Sequence, residues 1–394
     1  MYFYLFEHTE NHLTNIRILI LNYEYPPLGG GAGIVSKHLT EEFAKMGHSV
    51  TVLTTWYAGE PEFFVDENIT IIRLKSKRKN TFQSNPYEML SWQQAAMNYF
   101  KNQNTLAYDI CLANFTMPGG AVAKYLKQKF NIPYIILSHG HDIPWAYPKI
   151  MFVWHLLFYK VIKEICKQSS AVILLSEEIK QMADKFMGEK YAFKNKIFYN
   201  GLYTERFEKT IVGDKLKIAF VGRLVAQKSP MLFMKVIKEL QKENIPFEVS
   251  IFGDGELKIK MEEYAETNKL HAVAFRGKVG HAEVLKAMTE SNLMVSTSES
   301  EGMSMAILEA ISAGVYVIAT NVSGNDNMIM EDINGNLVDV NNPLQIVEKI
   351  KSFYTDKLLK HYTFPEDYIE RMESMFSWNK ITRQYEKLFF EILK

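Results

Sequence analysis

Two carboxylates, Glu301 and Glu309, bracket the start of a helical pattern in SESEGMSMAILEAISAGVYVIAT, Ser298 to Thr320. Glu301 and Gly302 read as loop, Met305 to Ser312 as helix, and Val315 to Ala319 as a buried strand. Ala313-Gly314 ends the helix, because glycine readily takes the left-handed conformation found at helix C-termini. Between the acids, the amides of Met303, Ser304 and Met305 would point at a docked anion. A cradle with an acid on either side suits a ligand that carries both phosphates and hydroxyls. Read alone, the pair fits such a cradle and, equally well, a helix-end charge at Glu301 with a solvated side chain at Glu309. Arg223 and Lys228 follow the apolar run LKIAFVG and are the cations a diphosphate needs if no metal is used. Alone, they read as surface salt-bridge partners. His139 and Asp142 follow the apolar run YIIL, at the carboxyl end of a strand, where open α/β sheets bind ligands.

An alternation of strand and helix must hold these residues. Ile16 to Leu21 reads as a buried strand, Asn22 to Gly33 as a proline-then-glycine loop, Ile34 to Gly47 as an amphipathic helix and Val50 to Leu53 as a second strand. Gly30 and Gly31 let the backbone of that loop come close to a ligand. GGGAG does not, however, match G-x-G-x-x-G. Further strands read at Ile69–Leu74, Tyr108–Ala113, Tyr134–Leu137, Ala171–Leu175 and Lys196–Tyr199, with helices at Glu88–Asn102, Gly119–Lys129 and Glu177–Met187. Lys75 to Asn80 reads as solvated basic surface. Trp145 to Gln168 is rich in aromatic residues and punctuated by lysines; after Pro148 it forms a helix with Phe152, Leu156, Tyr159 and Lys163 on one side. It reads either as packing on its own domain or as an interfacial helix that touches a membrane or a lipid-linked substrate.

The polar stretch Arg206 to Lys215 is the linker, and a second alternation runs from Leu216 to Val340. Its strands lead into Gly222-Arg223, into Gly253-Asp254-Gly255 and into the Glu301 stretch. The fold class is α/β, with two Rossmann-like, doubly wound domains facing a central cleft that holds the ligand.

A chain of 394 residues is too long for one ordinary core, which agrees with two domains. Lys+Arg and Asp+Glu both number 45, so no basic excess points to nucleic acid. The two cysteines, Cys111 and Cys166, fit neither a disulfide framework nor a metal-ligand spacing, which points to the cytoplasm. The N-terminus lacks the basic region and cleavage site of a secretory signal, and no run of about 18 apolar residues occurs. The first dozen or so residues read as a loosely docked extension.

Taken in order, these motifs resemble the retaining glycosyltransferases of the GT-B fold, specifically glycosyltransferase family 4. YPPLGGGAGIVSKHLTEEFAKMGHSVTVLT is similar to the family's acceptor-side glycine loop and first helix, and VGRLVAQKS to its phosphate-binding Arg and Lys segment. SESEGMSMAILEAISAGVYVIAT resembles its paired-glutamate motif and the next strand, and EDINGNLVDVNNP the loop that follows. FSWNKITRQYEKLF resembles the C-terminal helix that crosses back onto the first domain. The resemblance covers nearly the whole chain. It implies an acceptor-binding domain over residues 15–208, a nucleotide-sugar-binding domain over 209–377, and a helix, 378–394, packed back on the first domain.

It also implies roles. Glu301 would bind donor-sugar hydroxyls and Glu309 the ribose. Arg223, Lys228 and the amides near Ser304 would meet the leaving diphosphate. His139 would lie near the anomeric centre, and the Gly30–Gly31 loop would approach the diphosphate on domain closure. The implied donor site takes in Gly222, Gly253, Asp254, Gly302, Met303, Ser304 and Met305, and the acceptor side Asp142 and Trp145.

The implied activity is retaining transfer, of hexosyltransferase type, from a UDP- or GDP-linked sugar to a glycan, glycolipid or lipid-linked acceptor in cell-surface polysaccharide or glycoconjugate synthesis. No cofactor and no metal are implied, and peripheral contact with the inner membrane face is compatible with the aromatic segment. A GT-B-fold epimerase or phosphorylase and a non-catalytic sugar-nucleotide-binding protein are the alternatives; the cations and paired glutamates suit them less. Ser229 stands where the family frequently has glycine, and Asn327 where it frequently has glutamate.

Overall fold

The computed structural model describes residues 15–81, 84–140, 142–144, 152–202, 215–365 and 367–394. The N-terminal extension, Trp145 and the linker positions 206–214 lie outside the described residues. Eight strands form the first sheet: β1 (Arg17–Leu21), β2 (Ser49–Thr55), β3 (Phe63–Asp66), β4 (Ile69–Leu74), β5 (Ile110–Asn114), β6 (Tyr134–Leu137), β7 (Ala171–Leu174) and β8 (Asn195–Ile197). Their spatial order is β3-β4-β2-β1-β5-β6-β7-β8. All neighbours pair in parallel except β3 and β4. β5, β6 and β7 are buried along their whole length, as parallel strands covered on both faces require. Edge strand β3 is exposed throughout, so no burial pattern marks it in the sequence.

Helices α1 (Gly31–Lys45), α2 (Pro86–Lys101), α3 (Ala121–Phe130), α4 (Phe152–Gln168), α5 (Glu177–Met187) and the single turn α6 (Glu189–Ala192) belong to this sheet. α1 starts at Gly31, three residues before the apolar pattern predicts, so the last glycines form its first turn rather than a loop. α2 begins in a reciprocal cap: Asn85 accepts from Glu88 N–H, the Glu88 side chain accepts from Asn85 N–H, and Pro86 fills the first helical position.

α4 differs from the expected facing. His155, Ile162, Ile165 and Cys166 turn inward, while Leu156 is 60% exposed and Val153, Leu157 and Val161 are also exposed. Apolar residues line nearly the whole circumference of FVWHLLFYKVI, so periodicity alone cannot select its buried side. The segment Lys75 to Asn80 also departs from expectation. Arg78 turns inward, and its side chain is 2% exposed.

The second sheet holds β9 (Leu216–Val221), β10 (Phe247–Phe252), β11 (Val273–Gly277), β12 (Leu293–Ser296), β13 (Tyr316–Thr320) and β14 (Gly335–Val338), in the order β11-β10-β9-β12-β13-β14. Around it lie α7 (Pro230–Leu240), α8 (Lys258–Thr267), α9 (His281–Thr289), α10 (Met305–Ser312), α11 (Pro343–Phe353) and α12 (Tyr368–Phe376). The final helix, α13 (Trp378–Leu393), leaves this group and packs on the first sheet. Its Trp378, Ile381, Tyr385, Leu388 and Phe389 are buried with Ile16, Ile18, Ile20 and Phe43. Each such side chain contributes about 1.5–3 kcal/mol. His48 adds a polar tie: its Nδ1 accepts from Ile16 N–H, and its Nε2 lies 3.2 Å from Glu386 Oε1.

Strand register decides where the loops meet. Leu21 pairs with Ala113, and Asn114 with Leu137, so Asn22, Asn114 and Ser138-His139 share one edge of the first sheet. Val221 pairs with Phe252, and Ser296 with Ala319, which gathers Gly222, Gly253 and Thr297 at the facing edge of the second.

Candidate active site

Lys228 ends a single turn, Ala226–Lys228, after β9. The next residue, Ser229, sits at φ 45°, a left-handed conformation in which glycine carries no penalty and serine costs roughly 1 kcal/mol. Thr297 holds this turn, its Oγ1 lying 3.0 Å from both Lys228 O and Ser229 O. The turn aims Lys228 Nζ at Glu301 Oε1, with which it forms an ion pair. Ser298 Oγ donates to the same carboxylate oxygen at 2.6 Å. The side chains of Lys228 and Glu301 are 17% and 7% exposed, so the pair is largely removed from water. Lys228 has three N–H donors, and the pair leaves others for a second anion.

Gln227 joins the two segments. Its Oε1 accepts from Arg223 Nη2 at 3.3 Å, its Nε2 donates to Ser300 O at 2.9 Å, and its carbonyl accepts from Glu299 N–H. Glu309, on α10, lies 2.8 Å from His281 Nε2 at the start of α9. That hydrogen bond and the charge of Glu309 raise the His281 pKa above its ordinary value against the opposing effects of burial and Lys37. The sequence reading missed Gln227 and His281: Gln227 is an uncharged amide beside Lys228, and His281 stands alone among its neighbours.

The helix start corrects the expected cradle. Because Ser304 is the N-cap and α10 begins at Met305, the amides without intrahelical partners are those of Ser304, Met305, Ala306 and Ile307, and the Ser304 side chain does not cap them. Met303 is instead a packing residue: it is buried with Leu175 and Leu202, and its sulfur accepts from Asn200 N–H. At Gly302 the two units touch backbone to backbone. A Cβ there would lie 2.8 Å from His139 O, so only glycine fits without displacing the His139 backbone. At Gly253 a Cβ would lie 1.9 Å from Gly222 O. Asp254 turns Oδ1 back onto Gly255 N–H at 2.8 Å, engaging that oxygen within its own turn.

On the first sheet, His139 Nε2 lies 2.9 Å from Asn114 Oδ1. Ser36 Oγ donates to the same oxygen and accepts from Asn22 Nδ2, while Asn114 Nδ2 donates to Leu21 O. One buried asparagine therefore links β1, α1, β5 and the loop after β6. Its place at the end of β5 matches that of His139 at the end of β6, a positional signal the sequence reading applied only to the histidine. Asp142 accepts from Thr116 N–H, Ser138 Oγ and His139 N–H, at 2.7, 2.7 and 3.2 Å. Burial raises its pKa despite those bonds. Its contacts make it a brace for the His139 loop. Gly31 faces the second sheet, where a Cβ on it would lie 3.6 Å from Met305 Cγ.

Two cavities flank this arrangement. One, of about 310 Å³, lies between the sheets and is lined by Glu301, Glu299, Ser300, Ser323 and Asp326 together with Glu178 of α5. The other, of about 70 Å³, lies within the first unit between α2 and α4, lined by Met89, Leu90, Met117, Trp154 and Phe158, with Asp142 at its polar side. Among the described residues, no group of three His, Cys, Asp or Glu side chains could hold a metal ion, and no helix is long and apolar enough to cross a membrane.

Two mainly parallel α/β units, loops facing across a cleft and a terminal helix returned to the first unit define the GT-B fold. Residues 29–206 match the family described as Glycosyltransferase Family 4, and residues 203–373 match Glycosyl transferases group 1. The chain belongs to glycosyltransferase family 4, group 1. It is 25% identical over 377 residues to an uncharacterized glycosyltransferase of Methanocaldococcus jannaschii, covering 96% of this chain and 99% of that one. It is 25% identical over 344 residues to TuaC of Bacillus subtilis, a glycosyltransferase named for teichuronic acid biosynthesis, covering 78% and 82%. The structure of HepE from Anabaena, in complex with UDP and glucose, superposes with a TM-score of 0.74 at 16% identity over 95% of this chain and 100% of that chain.

Proposed function

We propose that this glycosyltransferase moves a sugar, with retention of anomeric configuration, from a nucleoside-diphosphate donor to a hydroxyl of a glycan or lipid-linked acceptor in the building of a cell-surface polysaccharide or glycoconjugate. The observation that carries the reading is the Lys228–Glu301 pair, fixed by Ser298 at the wall of the cavity between the sheets, with the His139 backbone against Gly302. In this reading Glu301 accepts hydrogen bonds from donor-sugar hydroxyls and Glu309 from the ribose. Arg223, Lys228 and the first-turn amides of α10 face the diphosphate. As the acceptor oxygen bonds to the anomeric carbon, the bond to the diphosphate breaks and its electron pair leaves with the phosphate oxygen. Fixed cations at that oxygen stabilise the developing charge without reorganising, and the reaction needs no metal.

The UDP bound to HepE and the teichuronic acid role in TuaC's name support a nucleotide-sugar donor and an envelope acceptor. The exposed apolar side of α4, beside the α2–α4 cavity, supports an acceptor with a lipid portion and contact with a membrane surface. The test is a screen of UDP- and GDP-sugars by thermal shift, followed by transfer assays and NMR of the product's anomeric coupling. A bound donor raises Tm by mass action, the linkage matches the donor's, and EDTA leaves the rate unchanged. Silence from every nucleoside diphosphate overturns the reading, and an inverted product overturns retention.

A further inference from the structure

The second unit carries a histidine that the donor reading leaves without a role. His281 is the first residue of α9. His281, Val284 and Met288 are spaced three and four residues apart, so they share one face of that helix. Val284 and Met288 pack in the apolar cluster that holds Ile307, Leu308 and Ile311 of α10. This packing sets α9 against α10 and leaves His281, at the polar end of the same face, opposite Glu309. His281 Nε2 lies 2.8 Å from Glu309 Oε1, and the two side chains are 41% and 16% exposed.

Helix geometry aims the pair. Cα–Cβ bonds tilt towards a helix's N-terminus, so Glu309 reaches back over the turn that begins at Met305. That turn carries the amides left without intrahelical partners. A ribose held by Glu309 would therefore sit beside a diphosphate docked on those amides. A carboxylate only accepts, so the hydrogen between the two side chains belongs to the imidazole. Nε2 carries it in the imidazolium and in one neutral tautomer alike, so the bond outlasts deprotonation. Among the described residues, Glu309 Oε2 takes no hydrogen bond and is the acceptor left for a ligand.

We propose that His281 is a positioning residue for the donor's ribose: by holding Glu309 Oε1 it turns Oε2 towards the ribose hydroxyls, and so favours ribose over a sugar that lacks them. The inference rests on Glu309 being the ribose ligand. A glutamate left to itself samples several rotamers, and ordering it then counts against ligand binding. Held from α9, the carboxylate meets the ribose already in place.

The test is calorimetric titration of wild type, His281→Ala, His281→Gln and Glu309→Gln with UDP, GDP and their 2′,3′-dideoxy forms. Val284 and Met288 keep α9 on α10 in every variant. For the base that binds, the ratio of the dideoxy Kd to the ribose Kd reads the ribose contacts alone, because base and diphosphate are common to both. In wild type that ratio should be about ten or more. His281→Ala should lower it about three- to fivefold. Glutamine keeps an N–H donor for Oε1, so His281→Gln should stay within about twofold of wild type. The ratio should fall furthest in Glu309→Gln. An unchanged ratio in His281→Ala, beside a fallen one in Glu309→Gln, overturns the proposal and leaves the donor reading intact. A loss in His281→Gln as large as in His281→Ala also overturns it. An unchanged ratio in Glu309→Gln removes Glu309 from the ribose and the proposal with it. No diphosphate binding to any of the proteins overturns the donor reading itself.

Discussion

The two cavities differ in how they are made. The larger one is walled by carboxylates and hydroxyls from short, contiguous loops of the second unit, with α5 of the first closing one side. Glu301 at its wall is paired with Lys228, the two coming from neighbouring strand ends of one sheet. The smaller cavity is walled by apolar side chains of α2, α4 and the turn after β5, segments brought together from across the first unit. Carboxylates fixed by local turns suit a ligand whose polar groups are always alike, such as the hydroxyls of a sugar, which donate to them. An apolar wall built from helix faces changes with every substitution on those faces, which suits the partner that differs among relatives.

Breaking the polar side should have the largest effect. Lys228→Ala is expected to lower kcat about 10²–10³-fold. It also leaves Glu301 without its cation in a site where Glu301 is 7% exposed, so Tm falls as well. Lys228→Arg should recover much of the Tm, and wild-type turnover in the alanine variant would remove Lys228 from the mechanism. Next comes Asn114→Ala, which takes the shared acceptor from Ser36 and His139. It should cost about 1–3 kcal/mol of stability by denaturant titration and slow transfer while nucleoside-diphosphate affinity stays at the wild-type value. A matching loss of donor affinity would show that the first-sheet network serves the donor as well.

A smaller effect is expected on the apolar side. Leu156→Glu with Leu157→Glu places charge on exposed residues of α4. Co-sedimentation with anionic liposomes at low salt should drop severalfold, whereas transfer to a water-soluble acceptor should not change. Equal sedimentation of both proteins would leave α4 without a membrane role. The smallest effect belongs to His281→Ala. Its folded-state pKa is raised by Glu309, so its contribution to stability is complete below the unfolded value of about 6.5 and is lost as pH rises through the folded value. The variant's Tm should fall short of wild type near pH 5.5 and converge with it well above the raised pKa. A deficit that persists at high pH would mean the ring matters by packing.

The same contrast explains what could be read beforehand. Glu301, Arg223 and Lys228 were legible because each lies in the segment that follows a strand, and parallel register brings strand ends together; Glu309 was legible from its spacing to Glu301. The strand–helix alternation was legible for the same reason. Gln227 was not, since an uncharged amide between two cations carries no charge signal, and His281 was not, since its partner Glu309 lies 28 residues away. Arg78 was hidden in a basic run that reads as solvated; its burial depends on Glu24 and the loop that covers it. On α4 the sequence offered apolar residues all round, and only its neighbours chose the face.

By itself, the sequence determined two parallel α/β units, the motif-bearing loops and the chemistry of the cleft's second side. Those follow from short-range patterns: apolar runs that must be buried, glycines where chains touch, charges beside helix starts. Tertiary structure alone decided that Met303 packs, that Asp142 braces and that Asn114 ties four segments together. Each of those roles depends on a partner tens to hundreds of residues away, a distance at which no local pattern carries information.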